Sequence, residues 1–232
     1  MADSAARDRL IVALDVPAAA EARALVEKLG DSVMFYKIGH ELLFDGGFDL
    51  ARDLKARGKR IFLDTKLLDI GNTMERSVAN AAKMGVDFLT IHGVDSKSIR
   101  AAVAGRGDSA LKLLAVTVLT SLTAEDVAEQ GITMTPADLV LHRARLAAAS
   151  GCDGVIASGE EAARIRAAVP PGFLIVTPGI RPAGSSAGDQ TRVVTPLAAI
   201  RSGADHIVVG RPITAAPDPR AAADAILQSL AI

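Results

Sequence analysis

Residues 61–73 read Ile61-Phe62-Leu63-Asp64-Thr65-Lys66-Leu67-Leu68-Asp69-Ile70-Gly71-Asn72-Thr73, and the rest of the chain is interpreted around them. The stretch opens as a short apolar run, as a buried strand does, and then becomes charged. Successive side chains of a strand point to opposite faces, so Asp64 and Lys66 are predicted to share a face at the strand's end. Burying such a pair is costly, which favours a functional site over a structural ion pair between strands.

The residues after this strand predict a loop and then a helix. Asp69 lies beyond the predicted strand end, on the loop or in the first helical turn. Asn72 and Thr73 have side chains that can cap a helix, which we expect over residues 74–83. Residues 61–83 are therefore predicted to form a strand, a charged loop and a helix in succession.

The composition excludes several classes of binding protein. Half of the 232 residues are apolar, which is enough for a sizeable core in one large domain. Aromatic residues make up only 3% and there is no Trp, so an aromatic platform for single-stranded nucleic acid is not expected. The net charge is −1 and no basic stripe is present, which argues against any nucleic-acid partner.

The cysteine usage and the N-terminus indicate a cytoplasmic protein. Cys152 is the only cysteine, so no intrachain disulfide can form, and we interpret it as a small buried apolar residue. Residues 1–9 are polar and charged and lack the apolar core of a signal peptide. No apolar run reaches the ~18 residues of a membrane span, so we expect a soluble protein without a membrane partner.

Strand-like and helix-like segments alternate along the chain. Eight apolar runs, each followed by a helical pattern, fall at residues 10–16, 33–38, 60–65, 87–91, 111–118, 154–157, 173–177 and 205–209. The runs are continuously apolar, as in strands that are buried on both faces. This alternation predicts a single-domain (β/α)8 TIM barrel over residues 1–232. An open doubly wound sheet is the alternative, although Asp15-Val16-Pro17-Ala18 after the first run is not a glycine-rich dinucleotide fingerprint.

Polar residues collect at the predicted carboxyl ends of the strands, where barrel enzymes place their active sites. They are Asp15, Lys37, Asp64, Lys66, Asp69, His92, Thr120, Arg181 and Arg211. Among them, Lys37, Asp64, Lys66 and Asp69 make an alternating array of two cations and two anions. Each charge favours the ionised form of its neighbour, so the array suits a reaction that needs a fixed negative field and a ready proton donor.

A second group of residues predicts a phosphate site. Gln190, Gly210 and Arg211 lie after strands seven and eight, whose loops often bind phosphate in these barrels. Gly210 lets backbone N–H groups approach an anion, Arg211 supplies a charged donor, and the start of the final helix is expected to add its dipole. The glycine-rich and serine-containing residues 178–190 are interpreted as a lid or binding loop.

Several of these residues have a structural alternative. Asp15 could be a turn or N-cap residue, Arg181 could be a solvated loop residue, and we prefer a structural role for His92. The other histidines, His40, His142 and His206, are scattered along the chain and do not indicate a metal site. We therefore expect no metal site.

These residues together resemble the orotidine 5′-phosphate decarboxylase family. The central stretch is similar to the family's Asp-x-Lys-x-x-Asp-Ile-Pro-Asn-Thr signature, with Gly71 where the family usually has Pro. Further motifs in family order are Asp15 after Ile11-Val12-Ala13-Leu14, Tyr36-Lys37-Ile38-Gly39, Leu119-Thr120-Ser121, Thr177-Pro178-Gly179-Ile180-Arg181, Gly188-Asp189-Gln190 and Val209-Gly210-Arg211-Pro212-Ile213-Thr214. The resemblance covers nearly the whole chain.

The resemblance implies a homodimer that decarboxylates orotidine 5′-phosphate, a nucleotide monophosphate, to UMP without metal or organic cofactor. It assigns Lys66 as the proton donor to C6 of the pyrimidine, with Lys37 and Asp64 from the same subunit. The implied contacts are Asp15 and Lys37 with the ribose, Thr65 with the substrate, Thr120 with the pyrimidine, Gln190, Gly210 and Arg211 with the phosphate, Arg181 on the closing loop, and Asp69, Ile70 and Thr73 at the neighbouring subunit's site.

Two other functions remain open from the sequence. A magnesium-dependent sugar-phosphate decarboxylase or aldolase of the same superfamily would share the Asp-x-Lys-x-x-Asp motif, but such enzymes carry a carboxylate at the end of strand two, where this chain has Lys37. A non-catalytic nucleotide-phosphate binding protein would keep Gln190 and Arg211 without needing the charge array.

Overall fold

The computed structural model describes residues 4–182 and 194–231, and the fold is a closed barrel of eight parallel strands. Strand order follows chain order, and the first strand pairs with the eighth to close the barrel. The predicted (β/α)8 TIM barrel is therefore confirmed, and the open sheet is excluded. The strands are β1 Leu10–Ala13, β2 Phe35–Gly39, β3 Arg60–Leu67, β4 Phe88–His92, β5 Lys112–Val116, β6 Gly154–Ile156, β7 Leu174–Thr177 and β8 His206–Val209.

Helices follow the strands and cover the outside of the barrel. They are α1 Ser4–Arg9, α2 Ala19–Leu29, α3 His40–Leu43, α4 Gly47–Ala56, α5 Gly71–Lys83, α6 Ser96–Arg106, α7 Ala124–Glu129, α8 Pro136–Ala149, α9 Ala162–Arg166, α10 Pro196–Arg201, α11 Arg211–Thr214 and α12 Pro219–Leu230. None of these helices, within the described residues, is both long and apolar enough to cross a bilayer.

Alternation along each strand separates two apolar layers. One set of side chains faces the helices in a large outer core, and the other fills the barrel itself with residues that include Phe35, Phe62, Phe88 and Val208. Burial on both faces explains why the strands read as continuous apolar runs. Because the inward-facing side chains recur every second residue, the residues that follow Phe35 and Phe62 by two, Lys37 and Asp64, also point inward.

Two helix starts differ from the sequence expectations. Helix α5 begins at Gly71 with Ile70 as its N-cap, and no side chain caps it, so the predicted caps Asn72 and Thr73 are wrong; both are exposed within the first turn. Residues 211–214 form the single turn α11 and not the start of the final helix, because α12 begins separately at Pro219 with Asp218 as its cap.

Candidate active site

A cavity of about 480 Å³ opens at the carboxyl ends of the strands. A volume in this range suits a small-molecule ligand. Eight of the residues predicted for the site line it: Asp15, Lys37, Asp64, Lys66, Thr120, Arg181, Gly210 and Arg211. They come from the ends of six different strands, as in other barrel enzymes.

Four charged side chains form a continuous line along one wall of this cavity. The Nζ atom of Lys66 lies 2.8 Å from Oδ1 of Asp64, whose Oδ2 is 3.5 Å from Nζ of Lys37. The Lys37 ammonium in turn donates to Oδ1 of Asp15 at 2.8 Å. Asp15 is therefore an ion-pair partner, and it is not the N-cap of α2, since Ala18 occupies that position.

The charges in this line stabilise one another. Burial by itself would lower the pKa of Lys37, but the carboxylates of Asp64 and Asp15 outweigh burial and raise it above its usual value. Burial would raise the pKa of Asp64, but the charges of Lys37 and Lys66, with hydrogen bonds from Lys66 and Thr90, hold it below its usual value. Lys37 and Asp64 are therefore both ionised near neutral pH.

The backbone at Lys66 departs from a regular strand. Between β3 and β4 the pairing runs Leu63 with Leu89 and then Leu67 with Ile91, so β3 contains a bulge of extra residues. Lys66 lies in that bulge with φ 46°, the sole non-glycine residue with positive φ in the described chain. Asp64 and Lys66 do meet, but through this bulge and not through plain strand alternation.

The loop after β3 turns away from the cavity of its own chain. Asp69, Ile70 and Thr73 are exposed and do not line the cavity, and Ile70 is 74% exposed. The Oδ1 atom of Asp69 accepts a hydrogen bond from the Ile70 N–H at 2.6 Å. Within one chain, the fourth member of the charged line is thus Asp15, and not Asp69 as the sequence pattern predicted.

Thr65 and Gln190 also lie apart from the cavity wall. The hydroxyl of Thr65 donates to the carbonyl oxygen of Thr90 at 3.1 Å, and Thr65 does not line the cavity. Gln190 lies outside the described residues, as does most of the predicted lid.

Two arginines line the part of the cavity formed by the loops after β7 and β8. Arg181 is only 7% exposed and its Nη1 donates to the carbonyl oxygen of Ile180 at 2.9 Å, so the alternative of a solvated loop residue is wrong. Burial and the nearby charge of Arg211 lower the pKa of Arg181. Two cations beside each other favour an anion between them. An added Cβ at Gly210 would meet the Cβ of Ala13 at 3.7 Å and Oδ2 of Asp15 at 3.9 Å, so Gly210 lies beside Asp15 at the cavity wall.

The structure adds site residues that the sequence analysis did not single out. His40 lines the cavity, and its Nε2 contacts the carbonyl oxygen of Thr65 at 2.8 Å. Apolar side chains complete the lining: Ala13, Phe62, Val116, Val118, Leu119, Ile156 and Val208. Strand periodicity could have identified Ala13, Phe62, Val116, Ile156 and Val208, which occupy inward-facing positions of their strands, but not Val118 and Leu119, which lie in the loop after β5.

His92 does not line the cavity, and burial, with the charges of Lys66 and Arg143, lowers its pKa. Its placement agrees with a structural role. Across residues 4–182 and 194–231, no group of three or more His, Cys, Asp and Glu side chains is arranged to hold a metal ion.

Comparisons with known proteins converge on one family. Residues 8–226 match the family described as orotidine 5′-phosphate decarboxylase / HUMPS. Orotidine 5′-phosphate decarboxylase from Rhodopseudomonas palustris (strain BisB5) is 54% identical over 230 residues, covering 99% of this chain and 97% of that protein. The protein of the same name from Afipia carboxidovorans is 54% identical over 226 residues, covering 97% and 96% respectively.

Solved structures give the same result. The crystal structure of orotidine 5′-phosphate decarboxylase from Lactobacillus acidophilus superposes with a TM-score of 0.84 at 41% identity, covering 96% of this chain and 99% of that one. The enzyme from Pyrococcus horikoshii OT3 gives a TM-score of 0.76 at 29% identity, with 95% and 98% coverage.

Proposed function

This chain belongs to the orotidine 5′-phosphate decarboxylase / HUMPS family and decarboxylates orotidine 5′-phosphate to UMP and CO2 in pyrimidine biosynthesis, and on that premise we propose how its residues divide the work. The observation that carries the proposal is the line Lys66, Asp64, Lys37 and Asp15 along the wall of the cavity. We propose that the reaction proceeds without metal or organic cofactor.

Lys66 is the proton donor in this proposal. When the bond between C6 and the carboxylate breaks, CO2 departs and the electron pair stays on C6 of the pyrimidine. The Lys66 ammonium stabilises that developing charge and then gives its proton to C6, and water reprotonates the amine. The contact with Asp64 at 2.8 Å supports this role, because it fixes the position of the ammonium at the cavity wall.

Asp64 and Lys37 fix the field around the reacting carbon. Asp64 is paired with two ammonium groups, so its negative charge persists inside the cavity where the substrate carboxylate would lie. A carboxylate so placed disfavours the bound substrate relative to a transition state that has lost part of its charge. Lys37 links this carboxylate to the more exposed Asp15, and both have polar atoms available to the ribose hydroxyls.

Phosphate binding is assigned to the part of the cavity formed by the loops after β7 and β8. Arg181, Arg211 and the backbone at Gly210 line that part, and they match the chemistry of a phosphate dianion. Thr120 is assigned to the pyrimidine, and Gln190 to the phosphate. A phosphate held away from the reacting carbon lets binding energy position the pyrimidine, as in other enzymes that bind a remote group of their substrate.

The complete site is proposed to need two copies of the chain. Asp69, Ile70 and Thr73 are exposed on the loop and helix start after β3, where they can reach a neighbouring cavity but not their own. Large apolar side chains are exposed in the loops after β2 to β5, including Phe44 at 91%, Leu68 at 52% and Leu119 at 38%. Burying such a rim in a homodimer would remove that apolar surface from water.

The polypeptide is further proposed to act as one domain over residues 1–232, to function in the cytoplasm, and to have no nucleic-acid or membrane partner. The small net charge of −1 and the single buried Cys152 support these assignments.

The proposed function is tested by following the loss of orotidine 5′-phosphate by ultraviolet absorbance in metal-free buffer with excess EDTA. We expect the full rate to persist, because a cation at Lys37 opposes a divalent metal at the end of β2. Turnover that disappears with EDTA and returns with magnesium would favour the sugar-phosphate enzymes of the superfamily. Tight UMP binding without any turnover would favour a nucleotide-phosphate binding protein.

A further inference from the structure

Thr90 is a buried polar residue in β4 that the reaction as described does not use. It is 0% exposed and follows the inward-facing Phe88 by two residues, so its side chain also points into the barrel. The pairing of β3 with β4 passes from Leu89 to Ile91 on the β4 side while β3 advances from Leu63 to Leu67. Thr90 is therefore the single β4 residue opposite the bulge that contains Asp64 and Lys66.

The hydroxyl of Thr90 joins these two charged residues. Its Oγ1 accepts a hydrogen bond from the Lys66 backbone N–H at 2.9 Å and donates one to Oδ1 of Asp64, also at 2.9 Å. The same Oδ1 atom lies 2.8 Å from the Nζ atom of Lys66. The backbone N–H and the ammonium of Lys66 are thus both linked to one carboxylate oxygen of Asp64, the N–H through Thr90 and the ammonium directly.

The same contacts hold an unfavourable backbone conformation. Lys66 has φ 46°, a region that residues with a Cβ seldom adopt, and such outliers need support from their surroundings. A regular ladder partner is missing in the bulge, and the Thr90 side chain supplies an acceptor for the Lys66 N–H in its place. The carbonyl oxygen of Thr90 also accepts from the Thr65 hydroxyl at 3.1 Å.

We propose that Thr90 is a positioning residue whose hydroxyl sets the conformation of Lys66 and the orientation of Asp64, so that the Lys66 ammonium is aimed at the reacting carbon. The proposal rests on the proposed role of Lys66 as proton donor. Thr90 does not line the cavity, so we expect its effect on the chemical step and not on binding.

Substitution by valine provides the test, because valine has the shape of threonine without the hydroxyl. We expect Thr90→Val to lower kcat by roughly 10- to 100-fold, since small misplacements of a catalytic group cost about this much. The KM for orotidine 5′-phosphate and the affinity for UMP should stay within about threefold, because Asp15, Arg181 and Arg211 are untouched. Thr90→Ser keeps the hydroxyl and should retain kcat within about threefold.

A second buried threonine offers a matched control. Thr177 in β7 is also 0% exposed, and its Oγ1 has no hydrogen-bond partner among the described residues. Thr177→Val should leave kcat within about twofold, since no polar contact is lost. If Thr90→Val does not fold, Thr90→Ala is compared with Thr90→Ser, which differs from it by one oxygen atom, and the same loss of kcat is expected.

Equal kcat for Thr90→Val and the wild-type protein would overturn the proposal, and so would equal losses in the serine and valine variants. Amide hydrogen exchange of Lys66 gives a readout that does not depend on turnover. Losing its acceptor should speed exchange of this amide at least about tenfold in Thr90→Val, and an unchanged exchange rate would contradict the proposal. A wild-type protein without decarboxylase activity would contradict the proposed function. The exchange rate of the Lys66 amide would still show whether Thr90 holds the Lys66 backbone.

Discussion

The Asp64 carboxylate and the Lys66 ammonium lie 2.8 Å apart across a bulge in β3. The other oxygen of Asp64 faces Lys37 at 3.5 Å, so one anion separates two cations in a largely buried setting. Each ammonium alone would be costly to hold there, and the shared carboxylate offsets that cost. Asp15 is the second anion of this line, so two cations and two anions already balance within one chain. We propose Asp69 of a neighbouring subunit as a further carboxylate beside Lys66.

Mixing two inactive variants tests whether Asp69 acts in the neighbouring subunit. Lys66→Ala and Asp69→Ala should each be nearly inactive alone. When subunits exchange at random, half of the dimers contain one copy of each variant and hold one intact site, so activity should recover to roughly a quarter of the wild-type value. The measurement is orotidine 5′-phosphate turnover before and after mixing.

Exchange of subunits must be shown in the same sample, for example with tagged copies that co-purify. A mixture that exchanges yet stays inactive would contradict the shared site. An Asp69→Ala protein with wild-type activity would remove Asp69 from the mechanism altogether.

Gly71, which stands where the family usually has Pro, is expected to affect the stability of the protein. It occupies the first position of α5, and the preceding Ile70 has φ −61° and ψ 152°, a conformation that a following proline tolerates. Gly71→Pro should therefore stabilise the protein by about 0.5–1 kcal/mol, because it restricts the unfolded chain, and should raise Tm in a thermal melt. Activity should change little, since proline fits the backbone at this position and leaves the loop that carries Asp69 in place.

Gly71→Ala is the control that separates the effect of the proline ring from the effect of an added Cβ atom. A Cβ at Gly71 would meet the Cβ of Ala101 at 3.6 Å, an ordinary contact, so this variant should also fold and remain active. A lower Tm for Gly71→Pro than for the wild-type protein would show that the start of α5 needs glycine.

The sequence was sufficient for the barrel because each strand is buried on both faces, which leaves a continuous apolar run followed by an amphipathic helix. Helix starts were less predictable: Asn72 and Thr73 have capping side chains, yet α5 begins before them. The residue at which such a helix begins depends on the path of the preceding loop in the fold. The sequence of one segment does not determine that path.

The site was predictable where charge interrupts an apolar run, as at Lys37, Asp64 and Lys66. The bulge was not, because the residue that adopts the left-handed conformation is Lys66 and no glycine or proline marks it. Thr90 did leave a signal, a hydroxyl on the inward face two residues after Phe88, but its meaning depends on pairing between strands that are distant in sequence.

His206 should make stability depend on pH in mildly acidic solution. Burial and the charge of Arg60 lower its pKa below 6.5, although the Asp8 carbonyl oxygen, 2.8 Å from Nδ1, opposes them. The folded state then binds fewer protons than the unfolded state between the lowered pKa and about 6.5. The free energy of unfolding is therefore highest above that range and falls as the pH drops through it.

Urea denaturation at about pH 8 and about pH 5.5 measures this effect. His206→Gln should be less stable than the wild-type protein at the higher pH, because the substitution removes the ring contacts with Phe35 and Phe88. It should lose less stability than the wild-type protein on acidification. His142→Gln, at an exposed position in α8, should follow the wild-type protein at both pH values. An acid loss in His206→Gln equal to that of the wild type would exclude His206 as its source.

The central claim is that Lys66 delivers the proton to C6, and Lys66→Ala tests it most directly. Its control is Lys83→Ala, which removes an exposed lysine at the end of α5 and should leave activity unchanged. We expect Lys66→Ala to lower kcat for orotidine 5′-phosphate by at least about 10³-fold while UMP still binds, because the residues that we propose for the phosphate and the ribose are unchanged. A Lys66→Ala enzyme that turns over orotidine 5′-phosphate at near wild-type rates would contradict the account.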